Sequence, residues 1–162
     1  MIFNNKMGVS PNHKHEITFG EMSEQRMGAA YACDIYLNTE GVSPLLLHER
    51  STGLALWKSD DSTVYFPIWT DTKEGYLMQQ LAAYSLVNSH IAIFKTLYGV
   101  IHLESIEGDF IKVVENPYGK PKPKVIDIEK EKISHTIHWT SVESNRITDE
   151  RQAYLATLKP KT

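Results

Sequence analysis

The hydrophobic pattern of residues 54–70, LALWKSDDSTVYFPIWT, predicts a β-hairpin in the middle of the chain. The apolar positions of its second arm fall into two alternating sets: Val64, Phe66 and Ile68, and Tyr65, Pro67 and Trp69. Because successive strand side chains point to opposite sides, both faces of this strand are apolar. We therefore expect a central strand covered on both faces, with a bulge or an edge at Pro67, which has no N–H to donate.

The same segment contains a tryptophan-bearing strand, an aspartate-rich turn and an aromatic strand in succession. The residues that form this order are Trp57, Ser59, Asp60, Asp61, Val64, Tyr65 and Phe66. The order resembles one blade of a β-propeller, although the usual glycine after the aspartates is absent. With 162 residues the chain is too short for the four or more blades of about 40 residues that close a propeller. The resemblance implies a meandering antiparallel sheet, and no functional residue follows from it.

Short apolar segments separated by turn residues predict further strands along the chain. They span residues 13–19, 29–37, 42–49, 90–97, 100–106, 110–114, 125–128 and 133–139. Residues 107–109 form the turn of a second hairpin, and the connection 20–28 has room for one helical turn. Residues 76–87 fit either a helix or a strand, and their second half favours a strand. The pattern predicts a mainly β fold, an antiparallel meander that forms a sandwich or a partial barrel.

The length of the chain favours a single domain over residues 1–162. We expect residues 1–12 and 159–162 to be flexible. The Pro- and Lys-rich residues 116–124 predict a loop or an extended connector, because proline disfavours helices and central strands. A short C-terminal helix is expected after a cap at residues 148–150. Its apolar side would carry Ile147, Tyr154, Leu155 and Leu158.

Composition narrows the classes of function. No apolar run approaches the ~20 residues that span a bilayer, and the first residues lack the apolar core of a signal peptide. We therefore expect a cytoplasmic protein with no membrane partner. The net charge of −3 argues against a nucleic-acid partner. Three lysines lie near Tyr118: Lys120, Lys122 and Lys124. In a chain of negative net charge they favour a solvated connector over a phosphate-binding site. An extended Pro-containing segment can also serve as a ligand for another protein.

From the cysteine and histidine residues we predict neither a metal site nor a bound cofactor. Cys33 is the only cysteine, so an internal disulfide and a four-thiolate zinc site are excluded. Its apolar neighbours predict a buried, inert thiol on a strand face shared with Tyr31, Ile35 and Leu37. On a strand, His13 and His15 would share a face, but a metal centre needs three or four convergent ligands.

Motifs of catalysis are absent from the sequence: it has no nucleophile elbow, phosphate-binding glycine loop or dinucleotide fingerprint. His102 and Glu104 share one strand face and are the best candidates for an acid–base pair. A small enzyme with a pocket around these two residues therefore remains an alternative. A small-ligand carrier with an aromatic cleft is a second alternative.

The leading hypothesis is a non-catalytic module that binds another protein, such as a bacterial or phage inhibitor or immunity protein. Tyr65 and Trp69 lie opposite the predicted core face, and tyrosine and tryptophan often anchor interfaces. The predicted binding surface consists of these two residues and an acidic rim of Asp60, Asp61, Asp71 and Glu74. The identity of the partner stays open, and so does a homodimer formed through a self-complementary edge strand.

Overall fold

A computed structural model describes residues 8–26 and 30–138, which form twelve strands and one 3-10 turn. The strands, in chain order, are β1 (His15–Phe19), β2 (Ser23–Arg26), β3 (Ala30–Thr39), β4 (Leu45–Ser51), β5 (Leu56–Trp57), β6 (Thr63–Asp71), β7 (Leu77–Ser85), β8 (His90–Phe94), β9 (Ile101–Glu107), β10 (Phe110–Glu115), β11 (Lys122–Asp127) and β12 (Ile133–His138). The 3-10 turn spans Ile128–Lys130. This architecture confirms the predicted mainly β fold.

The strands pair antiparallel in two sheets. The larger, nine-stranded sheet has the order β1-β3-β4-β6-β7-β8-β12, with β2 also paired to β3 and β5 to β6. The smaller sheet has the order β11-β10-β9. Most neighbours in space are also neighbours along the chain, as in the predicted meander. Among the described strands β1 and β12 end the large sheet without pairing to each other, so it is not closed into a barrel.

The predicted central hairpin is present, and Pro67 lies at a break in the strand beside it. β6 pairs with β4 at Ser51–Ile68 and with β5 at Leu56–Tyr65. Between these two pairs the chain advances five residues on the side of β4 and β5, from Ser51 to Leu56, but only three on β6, from Tyr65 to Ile68. The segment between β4 and β5 therefore bulges by two residues. The Pro67 carbonyl accepts a bond from the backbone N–H of Thr52 at 3.3 Å. The missing proline N–H is tolerated because regular pairing is interrupted at this point.

Two apolar cores lie on opposite faces of β6 and β7. The first contains Val64, Phe66 and Ile68, together with side chains from β1, β3, β4, β7 and β8. The second contains Tyr65 and Leu81 and is covered by side chains of the small sheet. Both faces of the central strand are therefore covered, as its two-sided apolar pattern predicts.

A buried glutamine ties the small sheet to the large one. The backbone groups of Gln79, which is 1% exposed, exchange two 2.8 Å hydrogen bonds with those of Tyr98. The Gln79 Oε1 atom accepts a further bond from the N–H of Ile101, the first residue of β9, at 2.9 Å. These contacts hold the crossing segment beside β7. They also satisfy polar groups that would be costly to bury unpaired.

The structure decides three local expectations. The region 76–87 contains one strand, β7, because pairing with β6 along its full length decides a pattern that was ambiguous alone. The 20–28 connection contains β2 instead of a helical turn in its described part. The predicted loop 116–124 is too long, since Lys122 already belongs to β11. Pro123 fits there because β11 is an edge strand of the small sheet.

The described residues of the N-terminal segment contact the rest of the fold. Trp57 Nε1 donates to the carbonyl of Gly8 at 3.1 Å, and Ser10 is 1% exposed. The predicted C-terminal helix at residues 148–158 and the segment 159–162 lie outside the described residues, as do residues 1–7. Within the described part of the chain, no helix is long and apolar enough to span a membrane.

Candidate functional site

The four predicted rim carboxylates lie at opposite ends of β6. Asp60 and Asp61 belong to the turn before this strand, whereas Asp71 ends it and Glu74 follows in the next turn. A strand rises about 3.3 Å per residue, so the nine residues of β6 separate the two pairs by roughly 25–30 Å. The carboxylates therefore form two separate groups and do not surround one surface.

The two predicted aromatic anchors are covered by packing. Tyr65 is 4% exposed in the second core, and this burial raises the pKa of its phenol. Trp69 is 9% exposed and packs with Leu77 and Val100. Its Nε1 atom donates to the carbonyl oxygen of Tyr31 at 3.0 Å. In this structure both side chains support the contact between elements and are not exposed anchors.

One end of the molecule is acidic. Lys58 Nζ contacts Asp109 Oδ1 at 3.1 Å and so joins the β5–β6 turn to the β9–β10 turn. An open cleft of about 430 Å³ lies beside this contact. We call this region the acidic end; it comprises Asp60, Asp61, Glu107, Asp109, Asp127 and Glu129, with Phe110 beside them. The Phe110 side chain is 52% exposed.

The two aspartates of the β5–β6 turn stabilise the turn itself. Asp60 Oδ1 accepts bonds from the N–H of Ser62 at 2.9 Å and from its hydroxyl at 2.6 Å. These bonds hold the pKa of Asp60 below its usual value. Asp61 adopts a positive φ of 64°, and its Oδ1 atom accepts a bond from the N–H of Asn12 at 2.8 Å. Local structure therefore accounts for both side chains.

The opposite end carries exposed tyrosines around the buried Trp69. Tyr31 supplies the carbonyl that accepts a bond from the Trp69 indole, and Tyr76 precedes Leu77, which packs against the cluster of Trp69 and Ala32. Tyr118 lines an open cleft of about 350 Å³. The exposed fractions of Tyr31, Tyr76 and Tyr118 are 52%, 68% and 93%. We call Tyr31, Trp69, Tyr76 and Tyr118 the aromatic end.

Tight turns place two of these tyrosines on the surface. In the β6–β7 turn the Thr72 hydroxyl accepts a bond from the N–H of Tyr76 at 3.0 Å, and Gly75 takes a φ of 85°. In the β10–β11 loop Asn116 takes a φ of 54°, and its carbonyl accepts a bond from Gly119 at 3.1 Å. Both tyrosines therefore extend from backbone segments that are held by local hydrogen bonds.

Ion pairs surround the aromatic end. Arg50 Nη1 contacts Asp71 Oδ2 at 3.0 Å. Lys124 forms an ion pair with Glu115 and lies 5.7 Å from the ring centre of Tyr98. The hydrogen bond from Lys124 is the main reason why the pKa of Glu115 is lowered. The aromatic end thus combines apolar rings with a mixed-charge rim, an arrangement typical of interfaces.

The candidate acid–base pair lies on the surface of the small sheet. His102 and Glu104 are both exposed on β9, in the small sheet. Neither side chain lines the cleft at the acidic end or the cleft at the aromatic end.

The predicted histidine pair is separated by the start of β1. His13 lies in the preceding turn with a φ of 60°, so it does not share a strand face with His15. The His15 ring stacks on Trp57 with 6.0 Å between ring centres, and its Nδ1 atom lies 2.8 Å from Thr39 Oγ1. Across residues 8–26 and 30–138, no three His, Cys, Asp or Glu side chains are arranged to hold a metal ion.

The single thiol has the predicted buried position. Cys33 is 2% exposed, and burial is the main cause that raises its pKa to about 11. Its Sγ atom donates to the carbonyl of Ser51 at 3.7 Å. A neutral, covered thiol is a poor nucleophile, since the thiolate is the reactive form.

Sequence reasoning missed the tyrosines as a group. The sequence places Tyr31 on the buried face with Cys33, but β3 pairs with β4 only from Cys33 onward, and Tyr31 lies beyond that pairing and is exposed. Tyr76 and Tyr118 do have a local signal, because each lies in a segment with a glycine turn. That all three lie at one end depends on pairings between distant residues.

Comparisons with protein-family models, curated proteins and solved structures give no match for this chain.

Proposed function

We propose that this protein is a non-catalytic module that binds another protein through its aromatic end. The observation that supports the proposal is the presence of three tyrosines, each more than half exposed, around a tryptophan that is 9% exposed. Large aromatic side chains dominate binding energy at protein interfaces. Asp71 and Glu74 of the predicted surface remain at this rim, whereas Tyr65, Asp60 and Asp61 do not.

The aromatic end is suited to act as a preorganised surface. Trp69 is held by a hydrogen bond and by packing, and turn hydrogen bonds hold the backbone beside Tyr76 and Tyr118. Tyrosine loses little conformational entropy on binding because it has only two side-chain torsions. Binding would therefore cost less ordering entropy than it would for flexible loops of the same composition.

A concrete form of this proposal is a cytoplasmic inhibitor or immunity protein. Such a protein needs a stiff scaffold and one recognition surface, and it needs no catalytic residues. The two cores on either side of β6 and β7 supply that stiffness. The buried, unpaired Cys33 fits a reducing compartment, where structural disulfides are rare.

The test compares partners captured by the full chain and by surface variants. Tyr76→Ser with Tyr118→Ser removes two exposed rings from the aromatic end. Phe110→Ser removes one exposed ring from the acidic end and is the matched control. We expect a host protein that is retained by the wild type and by Phe110→Ser but lost by the double variant, in quantitative mass spectrometry of the captured material.

Kinetics with the purified partner complete the test. Each tyrosine substitution should accelerate dissociation about tenfold or more, which corresponds to about 1.4 kcal/mol. Circular dichroism would verify that the variants are folded. An unchanged dissociation rate for a folded double variant would contradict the proposal. Loss of the partner's own activity at one equivalent of this protein would support the inhibitor form.

A further inference from the structure

β12 is an exposed edge of the large sheet. It pairs with β8 on one side, where Thr136 lies opposite Ala92 and Ile137 opposite Ile91. Within the described part of the chain no strand pairs with its other side. Ile133 at its start is 51% exposed, and Thr136 is also exposed. This side of β12 therefore presents backbone N–H and C=O groups that can pair with another strand.

The other edges of the two sheets are interrupted or carry charged residues, among them Glu104 and Glu107 of the edge strand β9. β11 contains Lys122, Pro123 and Lys124, and lysine and proline both oppose edge-to-edge pairing. The far edge of the large sheet is broken between β1 and β2, and Val9 bridges to Glu16 beside β1. β12 has a register shift between Ile133 and His135, but its residues 135–138 pair with β8 without interruption. Its six residues, ISHTIH, include no Lys, Arg, Asp, Glu, Pro or Gly.

The composition of β12 also favours strand pairing. Ile133, Thr136 and Ile137 are β-branched residues, which fit the pleated surface of a sheet. Ile137 is half-buried and packs against the first core, so the apolar face of the large sheet continues to its edge. A strand added beside β12 would extend the same apolar face and cover the exposed part of Ile137.

We propose that β12 pairs antiparallel with β12 of a second copy of this chain, which forms a dimer with one continuous sheet. A two-fold axis relates identical strands antiparallel, so each backbone bond is made twice and the contact closes on itself. The register that overlaps the whole strand centres on His135 and Thr136. No lysine, arginine or carboxylate from β12 enters this seam. The proposal does not depend on the aromatic end.

Equilibrium sedimentation of the full chain at micromolar concentrations tests the dimer. Thr136→Lys places a lysine from each copy near the axis, where like charges would repel. Thr136→Val keeps the shape and the strand propensity and is the matched control. Ser105→Lys adds the same charge at an exposed position of β9. We expect dimers for the wild type, Thr136→Val and Ser105→Lys, and monomers for Thr136→Lys.

Hydrogen exchange separates this dimer from other ways of covering the edge. Amides of β12 should exchange at least tenfold faster in Thr136→Lys than in the wild type, whereas amides of β7 should be unchanged. The proposal would be overturned if the wild type were still monomeric at about 100 μM, a concentration at which a specific dimer interface should be occupied. It would also be overturned if folded Thr136→Lys remained a dimer. A monomer with protected β12 amides would show that residues after His138 cover the edge instead.

Discussion

At the scale of single residues, Tyr98 shows how burial and charge combine at a junction between the sheets. Its side chain is 4% exposed, and its backbone is bonded to Gln79 on β7. Burial is the largest cause that raises the pKa of its phenol to about 12, and the carboxylates of Glu131 and Glu115 raise it further. The folded chain therefore favours the neutral phenol more strongly than the unfolded chain does.

Tyr98→Phe should weaken the loss of stability at alkaline pH. A tyrosine in the unfolded chain ionises near pH 10, and Tyr98 in the folded chain ionises near pH 12. The contribution of Tyr98 to the free energy of unfolding is complete below pH 10 and is lost as pH rises toward 12. The reason is that the phenol releases its proton at a lower pH in the unfolded chain than in the folded chain. Between these pH values the wild type should lose on the order of 2 kcal/mol more than Tyr98→Phe, measured by urea denaturation.

Tyr118→Phe is the control for this measurement. The Tyr118 side chain is 93% exposed, so its surroundings change little on unfolding. Its removal should leave the difference in unfolding free energy between pH 10 and pH 12 as in the wild type. If Tyr98→Phe and Tyr118→Phe behave alike, burial of Tyr98 does not govern the alkaline response.

At the scale of elements, turn geometry decides where hairpins form. The β9–β10 turn, predicted at residues 107–109, contains Gly108 with a φ of 59°. A Cβ atom at Gly108 would meet no heavy atom within 4 Å, so backbone strain alone opposes a larger residue. Gly119 has equally open surroundings but no positive φ. The two glycines therefore separate conformational strain from steric contact.

Gly108→Ala should lower the free energy of unfolding by about 1–2 kcal/mol, because an L-residue is disfavoured at positive φ. Gly119→Ala should change it by less than about 0.5 kcal/mol, since neither strain nor a clash arises. Chemical denaturation of both variants measures the difference. Equal effects would mean that the β9–β10 turn relaxes to another geometry when Gly108 is replaced.

At the scale of the whole molecule, β6 and β7 are shared by two cores. Phe66 in the first core and Leu103 in the second are both 0% exposed. Because Tyr65 and Leu81 on the same two strands pack against the small sheet, the sheets cannot separate without exposing a large apolar surface. The two sheets of the described residues are therefore expected to unfold together.

Phe66→Ala and Leu103→Ala should each destabilise the entire chain in one cooperative transition. We expect losses of about 3–5 kcal/mol and 2–5 kcal/mol, respectively, from the deleted apolar atoms and the cavities left behind. Tryptophan fluorescence and far-ultraviolet circular dichroism should give the same denaturation midpoint. Two separate transitions for Leu103→Ala would show instead that the small sheet unfolds by itself.

The residue pattern determined much of the local structure, because strand alternation and turn chemistry act between near neighbours. Val64, Phe66 and Ile68 indicate one core face, and the turn residues after Trp57 indicate the central hairpin; both are confirmed. The glycine turn at residues 107–109 is also confirmed. The local pattern of residues 76–87 fits both a helix and a strand, and pairing with β6 decides for the strand.

Only the tertiary structure decided which apolar residues reach the surface. Tyr65 and Tyr118 are both tyrosines beside turns, yet one is 4% exposed and the other 93%. The difference arises because the small sheet, whose strands begin more than 30 residues after Tyr65, covers that side of β6. Residues 60–61 and 71–74 are near in sequence but lie at opposite ends of an extended strand. Side-chain chemistry belongs to the sequence, whereas exposure and proximity depend on how distant strands pack.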